Sequence, residues 1–519
     1  MTLFRQLLIV IPLAMLTSYG LRYFFGRHME LDTNQTRSGQ RFTAPKSTEI
    51  EVHKPLKLEI DFLDAKSTKQ PVVTSIQTEL ARYDFSTDGA SLQRVEFKRN
   101  WGQQDGYLAT VFPPSSGDRE KSCFLVALDQ KTPFAFELIN KSEDADAHFL
   151  TYRAAIDGGS LIKKFTVFKQ TYRIDLEVGF DMNAGITQQA RIVLPSPLVP
   201  ELMGEDTITM IANDERNNLK LFTRSLETAH SYWATPTLFG AQDRYFVHAM
   251  VRDPNHFVQR GYFKSSENDQ WYALLEGPEV NQTEMWQLSF YMGPKEDRAM
   301  NAVDPRLEQT LNYGMFSFIS KPLSQFMLHA LETIYGFVHN YGWAIIILTI
   351  LIKLIMLPFT WRGEQSMKKR AEFQKKLDYL ESKFKHDKEA LGQARAELIR
   401  KHGMPGIGGC VPLLMQIPIF WALSIILANS IELYKAPFLW IPDLSTRDPY
   451  YILPLLMVIA MIFHTPAVND AKQRMSTVGM ALFLGAVTSS FAAGLALFMV
   501  VSTLLGVVQA KLVKAFKHD

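Results

Sequence analysis

Cysteine is almost absent from this chain. There are two in 519 residues, Cys123 in a polar stretch and Cys410 at the start of an apolar one. Neither belongs to a C-x-x-C pair or sits beside histidine, so the sequence offers no disulfide framework, thiolate metal site or thiol redox couple. No G-x-x-x-x-G-K, H-E-x-x-H or G-x-S-x-G occurs, which leaves no visible site for nucleotide hydrolysis, zinc proteolysis or an elbow-type serine nucleophile. No cofactor is called for, and an enzyme is not expected. Charge of one sign is lacking as well. The formal net charge is +2 with a pI near 8.2, so nothing points to nucleic acid.

Apolar residues are not lacking, but they are unevenly placed. The 47% hydrophobic content averages a mostly polar stretch, 30–310, with several long apolar runs between 340 and 515. The order is that of a soluble-type domain joined to a membrane domain. Residues 1–28 contain "FRQLLIVIPLAMLTSYGLRYFF" (4–25), which reads as an uncleaved membrane anchor: no A-x-A site follows, and Leu21, Tyr23, Phe24 and Phe25 extend the run to spanning length. Residues 29–52 are rich in Ser, Thr and Gln and read as a linker. From 53 to 310 come short alternating segments, among them "LKLEIDFL" (56–63), "SLQRVEFKR" (91–99), "LIKKFTVFK" (161–169), "YRIDLEVGF" (172–180) and "EMWQLSFYMG" (284–293). Period-two alternation with turn residues between segments predicts an antiparallel β-sandwich.

Residues 311–340 carry Phe316, Phe318, Ile319, Leu323, Phe326, Met327, Leu331, Ile334 and Phe337 at spacings of three and four. That predicts an amphipathic helix lying along the outer membrane–water boundary. Spans are expected at 342–360, 409–429, 450–465, 475–490 and 492–511, several of them short, which favours a locally thinned bilayer. The loop 361–404 holds about a dozen Lys/Arg against about seven Asp/Glu, so the positive-inside rule puts it in the cytoplasm. With the anchor this makes six spans, the β domain outside and both termini inside. Within the loop Phe373, Leu377, Leu380, Phe384, Leu391, Ala394 and Leu398 keep three-four spacing around "KHDKEA" (385–390), predicting a helical hairpin whose seam also includes Met367.

One residue breaks the pattern. "AIIILTILIKLIMLPF" (344–359) places Lys353 near the middle of an expected span. An ammonium at that depth costs roughly 2.5–3.5 kcal/mol on insertion scales. No carboxylate in the other spans pairs with it. A hydrophilic cavity entering from the cytoplasm would keep it solvated, with Thr349 one turn away on the same face and Gln416, Thr488, Ser489, Ser490 and Ser502 able to line the same space.

"MPGIGGCVPLLMQIPIFWAL" (404–423), "DLSTRDPYYILPLLM" (443–457) and "YGMFSFISKPL" (313–323) closely resemble the YidC family of bacterial membrane-protein insertases, as does the order anchor, β-sandwich, interfacial helix, charged hairpin and five-helix core. The large outer domain resembles the Gram-negative branch, with "FSTDGASLQRVEF" (85–97) like the family's strand entry. The resemblance implies a multi-pass inner-membrane protein: a periplasmic β-sandwich, and an insertase core over 341–519 with a hydrophilic groove open to the cytoplasm and lipid. It implies nascent membrane-protein substrates, work alone or beside the Sec translocon, and a ribosome or targeting receptor met through the hairpin. Lys353 aligns with the family's groove arginine, keeping the charge and losing the bidentate fork. Phe498 and Met499 stand where many relatives carry tyrosines, and "FAAGL" (491–495) has alanine where proline-serine is usual. The expected substrate contacts are Lys353, Thr349, Gln416, Phe420, Phe498, Met499 and Ser502. A secondary transporter using Lys353 as an anion site is disfavoured by the lack of an inverted repeat. An anchored envelope enzyme is separable only by deleting the β domain.

Overall fold

The computed structural model describes residues 71–98, 107–110, 122–128, 134–182, 188–197, 208–213, 218–222, 232–265, 271–311, 313, 317–384, 388–402, 411–464 and 471–515. The expected anchor and linker, the 56–63 segment, Cys410, and the side chain of Met367 lie outside the described residues. Two compact units result, one bearing strands up to residue 312 (together with 429–431) and one helical from 313 onward.

The first unit is built of antiparallel sheets, as the period-two segments predict. A nine-stranded sheet runs in the order Leu219–Phe222, Thr209–Asn213, Phe239–Gln242, Phe246–Arg252, Glu284–Pro294, Arg173–Met182, Gly159–Phe168, Ala147–Ile156, Glu137–Glu143. A five-stranded sheet is centred on Trp271–Val280 and a four-stranded one holds Val73–Gln77 through Tyr107–Thr110. Their inner faces meet through aromatic rings. Phe97 stacks on Phe246 with centroids 5.0 Å apart, Phe239 on Phe263 at 4.2 Å, and Phe124 meets Phe290 edge-on at 4.8 Å. Buried rings of this size dominate a core of this kind.

Alternation in "LIKKFTVF" turns Leu161, Phe165 and Val167 inward, and with them Lys163. A lysine buried this completely requires acceptors. Its Nζ donates to Gly89 O at 2.7 Å, to Ala90 O at 3.0 Å and to Phe124 O. Gly89, Ala90 and Phe124 all have positive φ, so the ammonium gathers carbonyls from two left-handed backbone bends. Burial pushes its pKa well below the ordinary lysine value.

The helices are α1 (Asp297–Val303) in the strand-bearing unit, then α2 (Ser317–Val338), α3 (Tyr341–Lys383), α4 (Lys388–His402), α5 (Val411–Asn429), α6 (Ile452–His464), α7 (Ala471–Thr488) and α8 (Ala493–Ala515). Where the sequence suggests a span and then a separate hairpin limb, α3 is one helix of 43 residues passing through Pro358. At 1.5 Å per residue it is about 65 Å long. Proline costs the helix one hydrogen bond, and helix continues on both sides of it. The residues assigned to a seam, Phe373, Leu377, Leu380, Phe384, Leu391, Ala394 and Leu398, are the half-buried ones between largely exposed neighbours, and Arg395 pairs with Glu381 across the two limbs.

In α2 the single apolar stripe divides. Ser320, Ser324, Met327 and Leu331 form the packed face, whereas Phe318, Phe326 and Phe337 stand on the opposite one, each at least 70% exposed. On the packed face Ser324 Oγ donates to Ala422 O of α5 at 3.3 Å, while the helix packs chiefly against α3. Tyr341–Pro358 is long and apolar enough to cross a membrane; the other apolar stretches, Gln416–Leu427, Ile452–Phe463, Met475–Thr488 and Ala493–Gln509, are shorter.

Candidate functional site

Local sequence explains how the expected groove residues are held. Along α3 the packed positions are Tyr341, Ala344, Ile345, Leu348, Thr349 and Met356, while Trp343, Ile350, Leu351, Leu354, Ile355 and Leu357 are exposed. Spacings of three and four make the first set one stripe, facing the other helices. Lys353 is four residues past Thr349 and three before Met356, so it belongs to that stripe and is half-buried. No carboxylate among the described residues pairs with it. Thr349 is 1% exposed, and its Oγ1 donates to Ile345 O at 2.6 Å, which satisfies the hydroxyl without a partner from another helix.

Depth can be counted from a dry convergence of helices. A Cβ added at Gly494 of α8 would lie 2.9 Å from Leu427 Cδ2 of α5, 3.3 Å from Leu444 O and 3.4 Å from Ile345 Cδ1 of α3. Only glycine admits three elements this close. Lys353 is eight residues along α3 from Ile345 and Ser502 eight along α8 from Gly494, each about 12 Å from the convergence at 1.5 Å per residue. Gln416 is eleven residues along α5 from Leu427, about 16 Å away by the same rise. Thr349 sits between. Counted along their own helices, Lys353 and Ser502 are therefore equally far from the convergence and Gln416 somewhat farther. Ser502 is buried, Gln416 half-buried, and Thr503 Oγ1 beside them donates to Met499 O at 2.8 Å.

Three expected contributors are elsewhere. Thr488, Ser489 and Ser490 end α7 just before α8 begins, at the level of the convergence and not of Lys353. Thr488 Oγ1 donates to Leu484 O and Ser489 Oγ to Ala486 O, both at 2.7 Å, so these hydroxyls close their own helix end. Phe498, expected on a greasy slide, is 2% exposed, because α8 packs against α3 and α6 along Ala493–Val500. Met499 is half-buried, and Phe420 rests edge-on against Phe491 at 5.6 Å. Exposed apolar surface is spread over several helices: Leu351, Leu354 and Ile355 of α3, Ile417 of α5, Leu455, Ile459 and Phe463 of α6, Met480 of α7, and Leu504 and Val508 of α8.

The α3 and α8 N-termini are contacted by residues 434–450, a segment that carries no apolar period and is read from sequence only as a connection. Phe438 and Ile441 exchange backbone hydrogen bonds at 2.8 Å, and Leu444 N donates to Ala436 O at 3.0 Å. The Phe438 ring fills the space over Gly342, where a Cβ would meet it at 2.0 Å, and lies edge-on to Trp343. The first N–H groups of a helix lack partners within it. Here the α8 donors reach into this segment, Ala493 N to Thr446 O at 2.6 Å and Gly494 N to Leu444 O at 2.9 Å. The signal available in sequence is "RDPYY" (447–451), an Asp-Pro turn opening a helix.

The described residues hold no cluster of His, Cys, Asp and Glu able to bind a metal ion. What the arrangement supplies is a half-buried cation, buried or half-buried neutral polar groups on neighbouring helices, and exposed apolar surface.

Residues 73–326 match the family model described as YidC periplasmic domain, and 333–519 the model described as 60Kd inner membrane protein. A Geobacter sulfurreducens protein named membrane protein insertase YidC is 30% identical over 453 residues, which cover 82% of this chain and 83% of the relative. One of the same name from Geobacter metallireducens is 28% identical over 531 residues, 97% of each chain, and one from Thioalkalivibrio sulfidiphilus is 42% identical over 224 residues, 42% of this chain and 40% of its own. With both units matched by family models, and a relative aligned over more than four fifths of both chains, the chain belongs to the family of membrane protein insertase YidC.

Proposed function

We propose that the chain is a membrane-protein insertase and chaperone of a bacterial inner membrane, with six spans, both termini and the α3–α4 limbs in the cytoplasm, and the strand-bearing unit in the periplasm. The observation that carries the reading is the placement of Lys353 on the inward stripe of α3, as far along its helix from an apolar convergence as Ser502 and nearly as far as Gln416. An unpaired cation at mid-membrane depth is tolerable where water reaches it. The groove admits the short hydrophilic segment of a nascent chain, drawn in by Lys353 when that segment is acidic. Gln416, half-buried, replaces part of its hydration, whereas Thr349 and Ser502 are buried and contribute polarity rather than contact. The apolar segment that follows moves past Phe420 and Met499 onto the exposed face of α6 and into lipid.

Burying about twenty apolar residues at a few tenths of a kcal/mol each supplies the driving force, so no nucleotide is needed. The 13-residue α6 is about 20 Å long against a hydrocarbon core of about 30 Å. The bilayer beside it thins, which shortens the polar crossing. Phe318, Phe326 and Phe337 of α2 rest in the outer interface, where aromatic rings are favoured. The limbs meet the ribosome or a targeting receptor, and the core acts alone or beside the Sec translocon.

Deleting 60–290 tests the assignment in cells depleted of their own insertase. An insertase retains most of its rescue without the strand-bearing unit. Complete loss of rescue, with the shortened chain still in the membrane, assigns the work to that unit and overturns the reading.

A further inference from the structure

Asp448 is 6% exposed, and none of the ion pairs among the described residues includes it. A buried carboxylate without a cation has to be satisfied by hydrogen bonds. Its Oδ1 accepts from Trp440 Nε1 at 3.1 Å and from Tyr450 N at 3.1 Å, and its Oδ2 accepts from Leu453 N at 2.7 Å. One side chain thereby joins three things: the tip of the 434–450 segment through Trp440, the turn at Tyr450, and the first turn of α6 through Leu453. Bonds to an ionised acceptor are stronger than neutral ones.

The same segment covers the α8 N-terminus from Thr446 and Leu444, two and four residues upstream of Asp448, and places Phe438 over Gly342 of α3. Between Trp440 and Asp448 the Asp443 carboxylate shapes the chain locally, accepting from Ser445 N at 2.8 Å. Lys435 and Arg447 are exposed, and Lys435 Nζ lies 5.6 Å over the Tyr434 ring.

We propose that Asp448 is a positioning residue, a latch that holds the 434–450 segment across the outer ends of α3, α6 and α8 and so keeps the groove closed on that face. The inference rests on the groove and orientation proposed above, and adds the residue on which the closure depends. Loss of the carboxylate frees Trp440 and Leu453 together, and the segment lifts from Gly342 and from the α8 N-terminus. The groove then opens to both compartments, and a polar substrate segment has no blind end against which to be held.

The test uses the full chain with Cys123→Ala and Cys410→Ala and a single reporter, Ser502→Cys, in intact cells treated with a membrane-impermeant maleimide. With Asp448 in place the reporter stays unlabelled from outside. Asp448→Ala raises its labelling rate at least tenfold, and Asp448→Asn, which keeps one acceptor oxygen, gives an intermediate rate. Trp440→Phe, which removes only the Nε1 donor, raises the rate a few fold. Labelling in inverted vesicles stays within twofold in all four backgrounds, a readout that general loosening would shift. An unchanged outside rate in both Asp448→Asn and Trp440→Phe, with normal protein levels, overturns the latch even if Asp448→Ala fails to accumulate. Leu439→Cys, at the exposed tip, separates the two layers of argument. Its labelling from outside in every background upholds the orientation, and its failure to label overturns the orientation and the latch with it.

Discussion

Replacing Lys353 with alanine, glutamate, glutamine and arginine tests the charge that gives the groove its character. Two unit charges about 4 Å apart attract by about 1 kcal/mol in water and about 4 kcal/mol at an effective dielectric of 20. Lys353 lies between those limits. It is half-buried on the packed stripe of α3, about 12 Å from the dry convergence at Gly494, and has no carboxylate partner among the described residues to offset it. At 1.4 kcal/mol per factor of ten, loss of the attraction slows capture of an acidic segment by between about fivefold and a thousandfold. Glutamate reverses the sign and falls below alanine and glutamine, whereas arginine keeps the charge and stays within severalfold of lysine. The assay is insertion of a single-span substrate by the purified chain in liposomes without nucleotide, run with one substrate bearing two aspartates in its translocated segment and one bearing two serines. The charge variants separate on the first and converge on the second. Equal insertion of the acidic substrate by all variants, or the same ranking on both substrates, refutes the electrostatic part of the mechanism.

Other consequences follow from the same geometry. Gly342→Val drives a side chain into the Phe438 ring, an overpacking that costs typically 1–3 kcal/mol, so the melting temperature in detergent falls and the 434–450 segment becomes protease-sensitive. Lys163→Met strands three buried carbonyls at about 1–3 kcal/mol each, enough to lower the amount of folded strand-bearing unit sharply while leaving the helical unit in the membrane. Leu380→Asp in the half-buried seam separates α3 from α4; growth in depleted cells is impaired, and thermal stability of the core is unchanged. Burial lowers the His248 imidazole from 6.5 to about 4 and raises the Asp243 carboxyl from 3.8 to about 6. As pH falls through 6.5 to 4 the unfolded imidazole takes up a proton that the folded one does not, and stability drops. As pH falls through 6 to 3.8 the folded carboxyl holds a proton that the unfolded one lacks, and stability rises. Each effect is about 3 kcal/mol, so they nearly cancel. Asp243→Asn, which keeps the acceptor for Tyr245 N and Phe246 N, makes the unit markedly acid-labile below pH 6, and urea titrations followed by near-UV circular dichroism should show it. A flat profile in that variant would contradict the two assignments.

Much of this protein is legible in its sequence because two periods are strong and local. Alternation over 161–169 sets which side chains point inward, Lys163 included, since strand geometry leaves no other choice. Spacing of three and four along 341–356 places Lys353 and Thr349 on one helix face for the same reason. Apolar run length and the lysine and arginine bias between runs come from transfer free energy, which depends on composition and not on neighbours.

Tertiary structure decides what periods leave open. Phe498 and Thr488 have the composition of a slide and of a cavity wall, yet packing against α6 and closure of a helix end use them otherwise. The aromatic and serine faces of α2 are indistinguishable as one stripe until α3 packs against one of them. The expected span ends at 360 and a separate limb begins at 361, yet both belong to one continuous helix. The 434–450 segment has no period at all, and its order comes from partners far away in the chain: the α8 N–H groups, the Gly342 gap and the Asp448 carboxylate. Local sequence sets which way a side chain points, while the donor or surface it meets is contributed by another element, and only the fold brings that element near.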